Sequence, residues 1–322
     1  MINILIVGLG NIGIRHLQSL LRIELETTIY ALEISSSRMN ACKVLLNDFK
    51  IKPHIKINFL CELKKINTNI NIAIISTSSE GRKELIEKII KIYSIDYFII
   101  EKIAFTDKND FRYVIDKFKE KSITSWINCP NRTFSDYKKL KKIILNEPKI
   151  QMVISGGNWG LASNSIHYID LFSFFTGSLS YKININLDNH IYPSKRSGYI
   201  EFNGIINLIS NNCTLSLISN NSFTSPVIVT IHTSEYNYVI SEAEGSAMVQ
   251  SLSNNWYWDK TKFNIELQSN LTEKYVRSII TSGECELIPI EDSFKLHEIY
   301  FTEFKDYFNK INIHGENKYL IT

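Results

Sequence analysis

This chain of 322 residues lacks several things, and each absence closes off a class of protein. No apolar run reaches the roughly 20 residues that cross a bilayer, so no membrane partner is expected. The first residues pass directly into a strand-like run, which leaves no stretch for a signal peptide; a cytoplasmic protein is the expectation. The five cysteines (Cys42, Cys61, Cys129, Cys213 and Cys285) are scattered, odd in number and never spaced as CxxC. That excludes a disulfide frame or a zinc site and suits ordinary thiols in a reducing compartment, so no metal is expected. The net charge of +3 is too small to imply a nucleic-acid partner. Its lysines, as in Lys138 to Lys142, read as solvated faces. There is no internal repeat and no disordered linker. What remains is a globular chain, 44% hydrophobic, with room for two domains and a large core.

The most informative stretch is Ile4 to Leu17, ILIVGLGNIGIRHL. A short apolar strand ends in Gly8-Leu9-Gly10-Asn11-Ile12-Gly13 and runs straight into a helical segment. Gly8 permits the tight turn, Gly10 lets the backbone approach a pyrophosphate, and Gly13 lets the helix pack on the strand. The pyrophosphate would rest on the free N–H groups and positive dipole end of that helix. A second strand, Thr28 to Leu32, ends in Glu33, about twenty residues after Gly13, where a carboxylate accepts hydrogen bonds from an adenosine ribose. The same charge repels a 2′-phosphate and favours NAD over NADP. S-adenosylmethionine methyltransferases share this grammar and stand as the alternative.

Strands and helices alternate through the first third. The run Ile70 to Ile75 is apolar almost throughout, as a strand buried on both faces should be. Such alternation predicts an α/β fold: a doubly wound parallel Rossmann sheet over residues 1–123, with ligands at the carboxyl ends of its strands. Beyond 124 the grammar changes. Helices at Phe134 to Leu145 and Ser163 to Phe175 precede about 110 residues of strand-like pieces separated by polar turns. A last amphipathic helix covers Ile290 to about Phe308. Residues 124–322 are therefore expected to form a C-terminal α/β domain with a large, open, mostly antiparallel sheet.

Three polar clusters fall where chemistry belongs. Ser76 to Ser79 follows the central strand and would pack along the nicotinamide half of a cofactor, or else simply ends the strand. Glu101-Lys102 ends the next strand on the same edge. Lys102 could hydrogen-bond a substrate hydroxyl and favour the alkoxide that hydride departure needs; a surface salt bridge to Glu101 is the alternative. On the helix of the second domain, Ser163, Asn164, His167 and Asp170 fall on one face between Ile166, Ile169, Leu171 and Phe174. A polar stripe on so apolar a helix suggests a pocket with His167 as proton acceptor, or a purely structural histidine.

Taken in this order, the clusters resemble the Gfo/Idh/MocA family of sugar oxidoreductases over essentially the whole chain. VGLGNIGIRHL is close to that family's opening. IIEKIAF stands where it carries E-K-P, GGNWGLASNSIHYIDL resembles its GG…D…HxxD helix, and Leu287-Ile288-Pro289 before a helix is also typical. The resemblance implies that Lys102 is the catalytic lysine and His167 the histidine that takes the hydroxyl proton. Gly8, Gly10, Asn11, Ile12, Gly13, Glu33, Ser76, Thr77 and Glu101 would line NAD. Asn131 and Arg132 resemble a segment that touches substrate, and Ser163, Asn164 and Asp170 would join them. The implied activity is hydride transfer to or from a carbinol carbon of a sugar, nucleotide-linked or amino, of the kind found in bacterial surface-polysaccharide pathways. A homodimer or homotetramer through the C-terminal sheet is implied as well. Three positions depart from the pattern. Ile103 replaces the proline of E-K-P, which leaves the backbone after Lys102 less constrained. Ser163 replaces the usual Asp four before His167, and Arg82 stands near where many relatives carry a histidine. These departures point to a subfamily with a distinct substrate, and Ser163 invites a non-catalytic dinucleotide-binding module as the alternative; a redox-neutral epimerase with retained NAD would use the same chemistry.

Overall fold

The computed structural model describes residues 1–63, 66–222, 224–310 and 321, without the side chains of 308–310. The first ten elements are β1 (Ile2–Val7), α1 (Asn11–Leu20), β2 (Thr27–Leu32), α2 (Ser36–Leu46), β3 (Ile55–Leu60), β4 (Ile70–Ile75), α3 (Arg82–Ile92), β5 (Ile95–Glu101), α4 (Lys108–Glu120) and β6 (Thr124–Asn128). There follow α5 (Ser135–Ile143), β7 (Gln151–Gly157), α6 (Leu161–Thr176), β8 (Lys182–Pro193), β9 (Ile200–Ser210), β10 (Cys213–Asn220) and β11 (Ile228–His232). The last are β12 (Tyr236–Ser241), β13 (Ser246–Ser251), β14 (Asp259–Lys262), α7 (Thr272–Ser282), β15 (Ile288–Pro289) and α8 (Ile290–Lys310).

These elements divide into two units, Met1–Pro130 with Glu266–Glu291, and Asn131–Ile265 with Asp292 onward. The boundary expected at 123/124 falls at the start of β6, which pairs in parallel with β5 and so belongs to the first sheet. The second difference lies further along the chain. Within the stretch that reads as strand pieces, Thr272–Ser282 is a helix, and it returns with β15 to the first unit. Its burial follows helical spacing at Thr272, Tyr275, Val276 and Ile279.

The first unit is a seven-stranded sheet in the order β15-β6-β5-β4-β1-β2-β3, parallel except for β15 against β6. Strands β1 and β4 lie at its centre, and Ile4, Leu5, Ile6, Ile72, Ala73 and Ile74 are fully buried there. Continuous β-branched runs suit strands covered on both faces. Chain order reverses between β1 and β4, which makes the crevice at their carboxyl ends the topological switch point of the sheet.

The second unit is built on an eight-stranded sheet in the order β14-β13-β12-β11-β7-β10-β9-β8. Its pairs are antiparallel except β10 against β7. Helix α6 packs on β9 and β10. Helix α8 buries Leu296, Ile299, Tyr300, Phe301, Phe304 and Tyr307; the side chain of Phe308, where the helix was expected to end, lies outside what the structure describes. Among the described residues no helix is long and apolar enough to cross a membrane, and no His/Cys/Asp/Glu group could hold a metal ion.

Candidate dinucleotide corner and ligand cavity

In the first unit the glycine corner has the geometry its sequence predicts. Gly8 adopts φ +91°, open to glycine at little cost. A Cβ on Gly13 would stand 1.9 Å from the Gly8 carbonyl oxygen, so α1 packs on β1 only because residue 13 has none. A Cβ on Gly10 would meet nothing within 4 Å, which leaves open space before the first turn of α1. No side chain caps that helix at Gly10, whereas Ser35 caps α2 and Asp107 caps α4. Uncapped N–H groups beside open space suit a phosphate. Asn11 and Ile12 are exposed at this end.

Glu33, buried just after β2, accepts the Leu9 N–H at 2.8 Å and the Ser35 N–H at 2.9 Å. Each carboxylate oxygen keeps a further lone pair for a ribose hydroxyl. The donor set and the open space therefore fit the adenosine and pyrophosphate of a dinucleotide. Ser76 donates its hydroxyl to the Val7 and Gly8 carbonyls, which ties the end of β4 to the corner. Thr77 lies against Gly8, its backbone nitrogen 3.1 Å from where a Cβ would stand.

Glu101 was expected to line NAD. The structure turns it inward: His16 Nε2 pairs with Oε1 at 2.8 Å, and Asn128 Nδ2 donates to the same oxygen. Burial raises its pKa, but the bonds from His16 and Asn128 outweigh that and hold the carboxyl below its ordinary range. His16 Nδ1 meets Thr272 Oγ1 at 2.8 Å. Glu101 thus anchors α7 and the end of β5. Lys102, the next residue, is half-buried, and the Lys102–Ile103 peptide bond is cis.

The backbone after Lys102 is held rather than loosened by the exchange of proline for Ile103. Arg82 is buried, and its Nη1 shares its two N–H groups among the carbonyls of Glu101, Ile103 and Ala104 at 2.5, 2.7 and 2.6 Å. Its Nη2 reaches the Thr77 carbonyl. One guanidinium thereby ties the loop after β4 to the segment carrying Lys102, a match of planar donors to fixed acceptors that a lysine would not make.

The second unit contains an open cavity of about 550 Å3, lined among others by Asn131, Trp159, Asn164, His167, Tyr168 and Glu242. Ligand pockets commonly fall in this size range. The polar stripe on α6 divides here. Asn164 and His167 line the cavity, and Asn164 Nδ2 donates to the Trp159 carbonyl at 2.8 Å. Asp170 does not line it. It is fully buried, and its Oδ2 takes the Arg132 Nε hydrogen bond at 2.8 Å. Arg132, over the Phe174 ring, serves that ion pair and does not line the cavity either. Ser163 lies at the start of α6, where its N–H and that of Ala162 donate to Glu201. That charge from β9 supplies the N-terminal cap α6 lacks in its own sequence.

Burial pushes the Asp170 carboxyl up, from the ordinary 3.8 to about 6, against the pull of Arg132. A folded-state pKa above the unfolded one stabilises fully below roughly pH 4, and that contribution fades as pH rises through about 6. Asp170→Asn should therefore flatten the stability profile between these limits, removing a decline on the order of 3 kcal/mol. Denaturant melts of both proteins across pH 4 to 7 check this; parallel profiles would reject the assignment.

Sequence reading did not find Glu242. It follows β12 and lines the cavity, with its Oε1 accepting from Tyr137 and its Oε2 from Tyr168 at 3.0 Å. Its local sequence, Ser-Glu-Ala-Glu-Gly, is that of a polar turn, and only the long-range tyrosines distinguish it.

No family model matches the sequence, and no curated protein matches it either. Solved structures do match in fold. An oxidoreductase from Agrobacterium radiobacter, solved with NAD+, L-tartaric acid and magnesium, is 13% identical with a TM-score of 0.74, covering 96% of this chain and 97% of its own. UDP-N-acetylglucosamine 3-dehydrogenase GnnA from Acidithiobacillus ferrooxidans is 11% identical with a TM-score of 0.69, covering 92% and 94%. A super-repressor mutant of Gal80p from Saccharomyces cerevisiae is 12% identical with a TM-score of 0.72, covering 97% and 98%. These structures are of the Gfo/Idh/MocA type, and the chain has their fold.

Proposed function

We propose that this chain is an NAD-dependent oxidoreductase that transfers hydride to or from a carbinol carbon of a sugar, nucleotide-linked or amino. The carrying observation is the glycine corner at the switch point of the first sheet: open at Gly10, uncapped, and flanked by the buried Glu33 carboxylate. The NAD+ in the Agrobacterium structure and the UDP-sugar activity in the name of GnnA support the same reading by analogy of fold.

Gly8, Gly10, Asn11, Ile12 and Gly13 would hold the pyrophosphate, Glu33 the adenosine ribose, and Ser76 and Thr77 the nicotinamide side. NAD bound there would supply the hydride acceptor or donor. Lys102 emerges after β5 on the same carboxyl edge, and its ammonium stabilises negative charge on the carbinol oxygen. In the second unit, His167 takes or returns the hydroxyl proton, while Asn131 and Asn164 orient the sugar. Ser163 cannot supply the charge of the aspartate usual at its position, so His167 works without it. The family resemblance, together with scattered cysteines that suit a reducing compartment, supports a cytoplasmic protein that assembles as a homodimer or homotetramer through the second sheet and serves a surface-polysaccharide pathway. An epimerase that oxidises and re-reduces one sugar would use the same groups.

A second reading is a dinucleotide-binding module without turnover. Ser163 favours it, and so does the fold likeness to the super-repressor mutant of Gal80p. Fluorescence titration with NADH separates both readings from a methyltransferase, which would leave the signal unchanged. Glu33→Ser should then raise the NADPH-to-NADH affinity ratio about tenfold, since the charge opposing a 2′-phosphate is gone. An unchanged ratio would remove Glu33 as the ribose reader.

A further inference from the structure

We propose that Glu242 selects the substrate, and that it selects for a primary ammonium substituent on the sugar. This rests on the sugar-oxidoreductase reading and narrows it to amino sugars with a free amine. The argument begins with how firmly the carboxylate is held. Tyr137, which donates to Oε1, is fully buried, with the rings of Phe134, Phe175 and Phe263 at 6.3, 6.1 and 4.9 Å. Tyr168, which donates to Oε2, stands edge-on to Trp159 at 5.6 Å, and both line the cavity with Glu242. Burial, and then the Glu242 charge, push both phenols well above the ordinary tyrosine range, so they remain protonated donors. Two O–H donors aimed at two oxygens hold the anion in place.

Among the described residues no lysine, arginine or histidine pairs with Glu242, and burial outweighs the two phenol bonds and holds its carboxyl above the ordinary carboxylate range. A carboxylate kept among aromatic side chains is costly until a positive charge meets it. Each oxygen retains a lone pair with which to accept from such a guest. A hydroxyl would supply one donor and leave the charge uncompensated. An acetamido group would bring one N–H together with a carbonyl oxygen that the carboxylate repels. A primary ammonium brings three donors and the missing charge, and the indole and phenol faces favour a cation further.

The test compares D-glucosamine, D-glucose and N-acetyl-D-glucosamine by titration calorimetry on the full chain. D-glucosamine should bind about 10- to 100-fold more tightly than D-glucose, the span expected of one charge-assisted hydrogen bond. Glu242→Gln should abolish the difference with a melting temperature near that of the parent. If that variant does not fold, Glu242→Asp carries the comparison and should show a reduced preference. Quenching of tryptophan fluorescence by D-glucosamine should disappear in Trp159→Phe, which places the sugar in this cavity. Equal affinities, a preference for the acetylated sugar, no binding of D-glucosamine at its solubility limit, or a preference undiminished in either Glu242 variant would overturn the proposal. NADH titration of the same samples keeps the two readings apart. Amine preference without NADH binding would sink the oxidoreductase and spare Glu242; NADH binding without amine preference would do the reverse.

Discussion

Lys102→Ala should bind NADH as the parent does and lose turnover by about 10³- to 10⁴-fold. The two effects separate because the lysine and the glycine corner stand on different strands. The corner joins β1 to α1, Lys102 follows β5, and β4 lies between those strands. The segment around it is fixed by other groups: Glu101 on His16 and Asn128, and three carbonyls on Arg82. Removing the lysine side chain therefore takes away a charge without releasing the backbone. The measurement pairs an NADH titration with single-turnover kinetics on the sugar that mass spectrometry identifies in the purified protein. Turnover at the parental rate would strike Lys102 from the mechanism. A parallel loss of NADH affinity would make it a cofactor ligand instead.

Gly13→Ala should cost more than about 4 kcal/mol of stability, placing it among the rare severe substitutions. The new Cβ would sit 1.9 Å from the Gly8 carbonyl oxygen and 2.7 Å from Ser76 Oγ. Neither can yield: the first is backbone in the tight turn, and the second is bonded to the Val7 and Gly8 carbonyls. Helix α1 would have to lift from β1, taking Leu17 and Leu20 out of the core. Gly10→Ala makes the contrast, since its Cβ meets nothing within 4 Å. It should melt close to the parent yet bind NADH more weakly, because the space it fills is the ligand's. Thermal melts and NADH titrations of both variants decide the matter; a Gly10→Ala protein with full NADH affinity would mean that the opening serves no phosphate.

The parallel sheet was legible because its information is local. Runs such as Ile70 to Ile75 state their own burial, and Gly8, Gly10 and Gly13 state the turn between two of the elements. Much of the candidate site depends on partners far away in sequence, and no local pattern records those. Glu101 looks like a strand-ending acid at a ligand edge until His16, 85 residues earlier, claims it. Asp170 shares the helical spacing of His167, but Arg132 draws it into the interior. Glu201 reads as one acid in a strand, though it caps α6 from 39 residues away. Glu242 depends on Tyr137, 105 residues before it. Helix α7 was missed for a related reason: Tyr275, Val276 and Ile279 form a short apolar stripe within a long stretch rich in β-branched residues.

The return of Glu266–Glu291 to the first unit governs how this protein can be made. His16 waits for Thr272, 256 positions downstream, before its second ring nitrogen finds a partner. A ribosome that has released Pro130 has delivered six of the seven strands and none of α7, so the Rossmann-like half is completed only after the whole intervening sheet has been translated. Anyone transplanting that half into another scaffold would have to carry both pieces and splice a short bridge in place of 131–265.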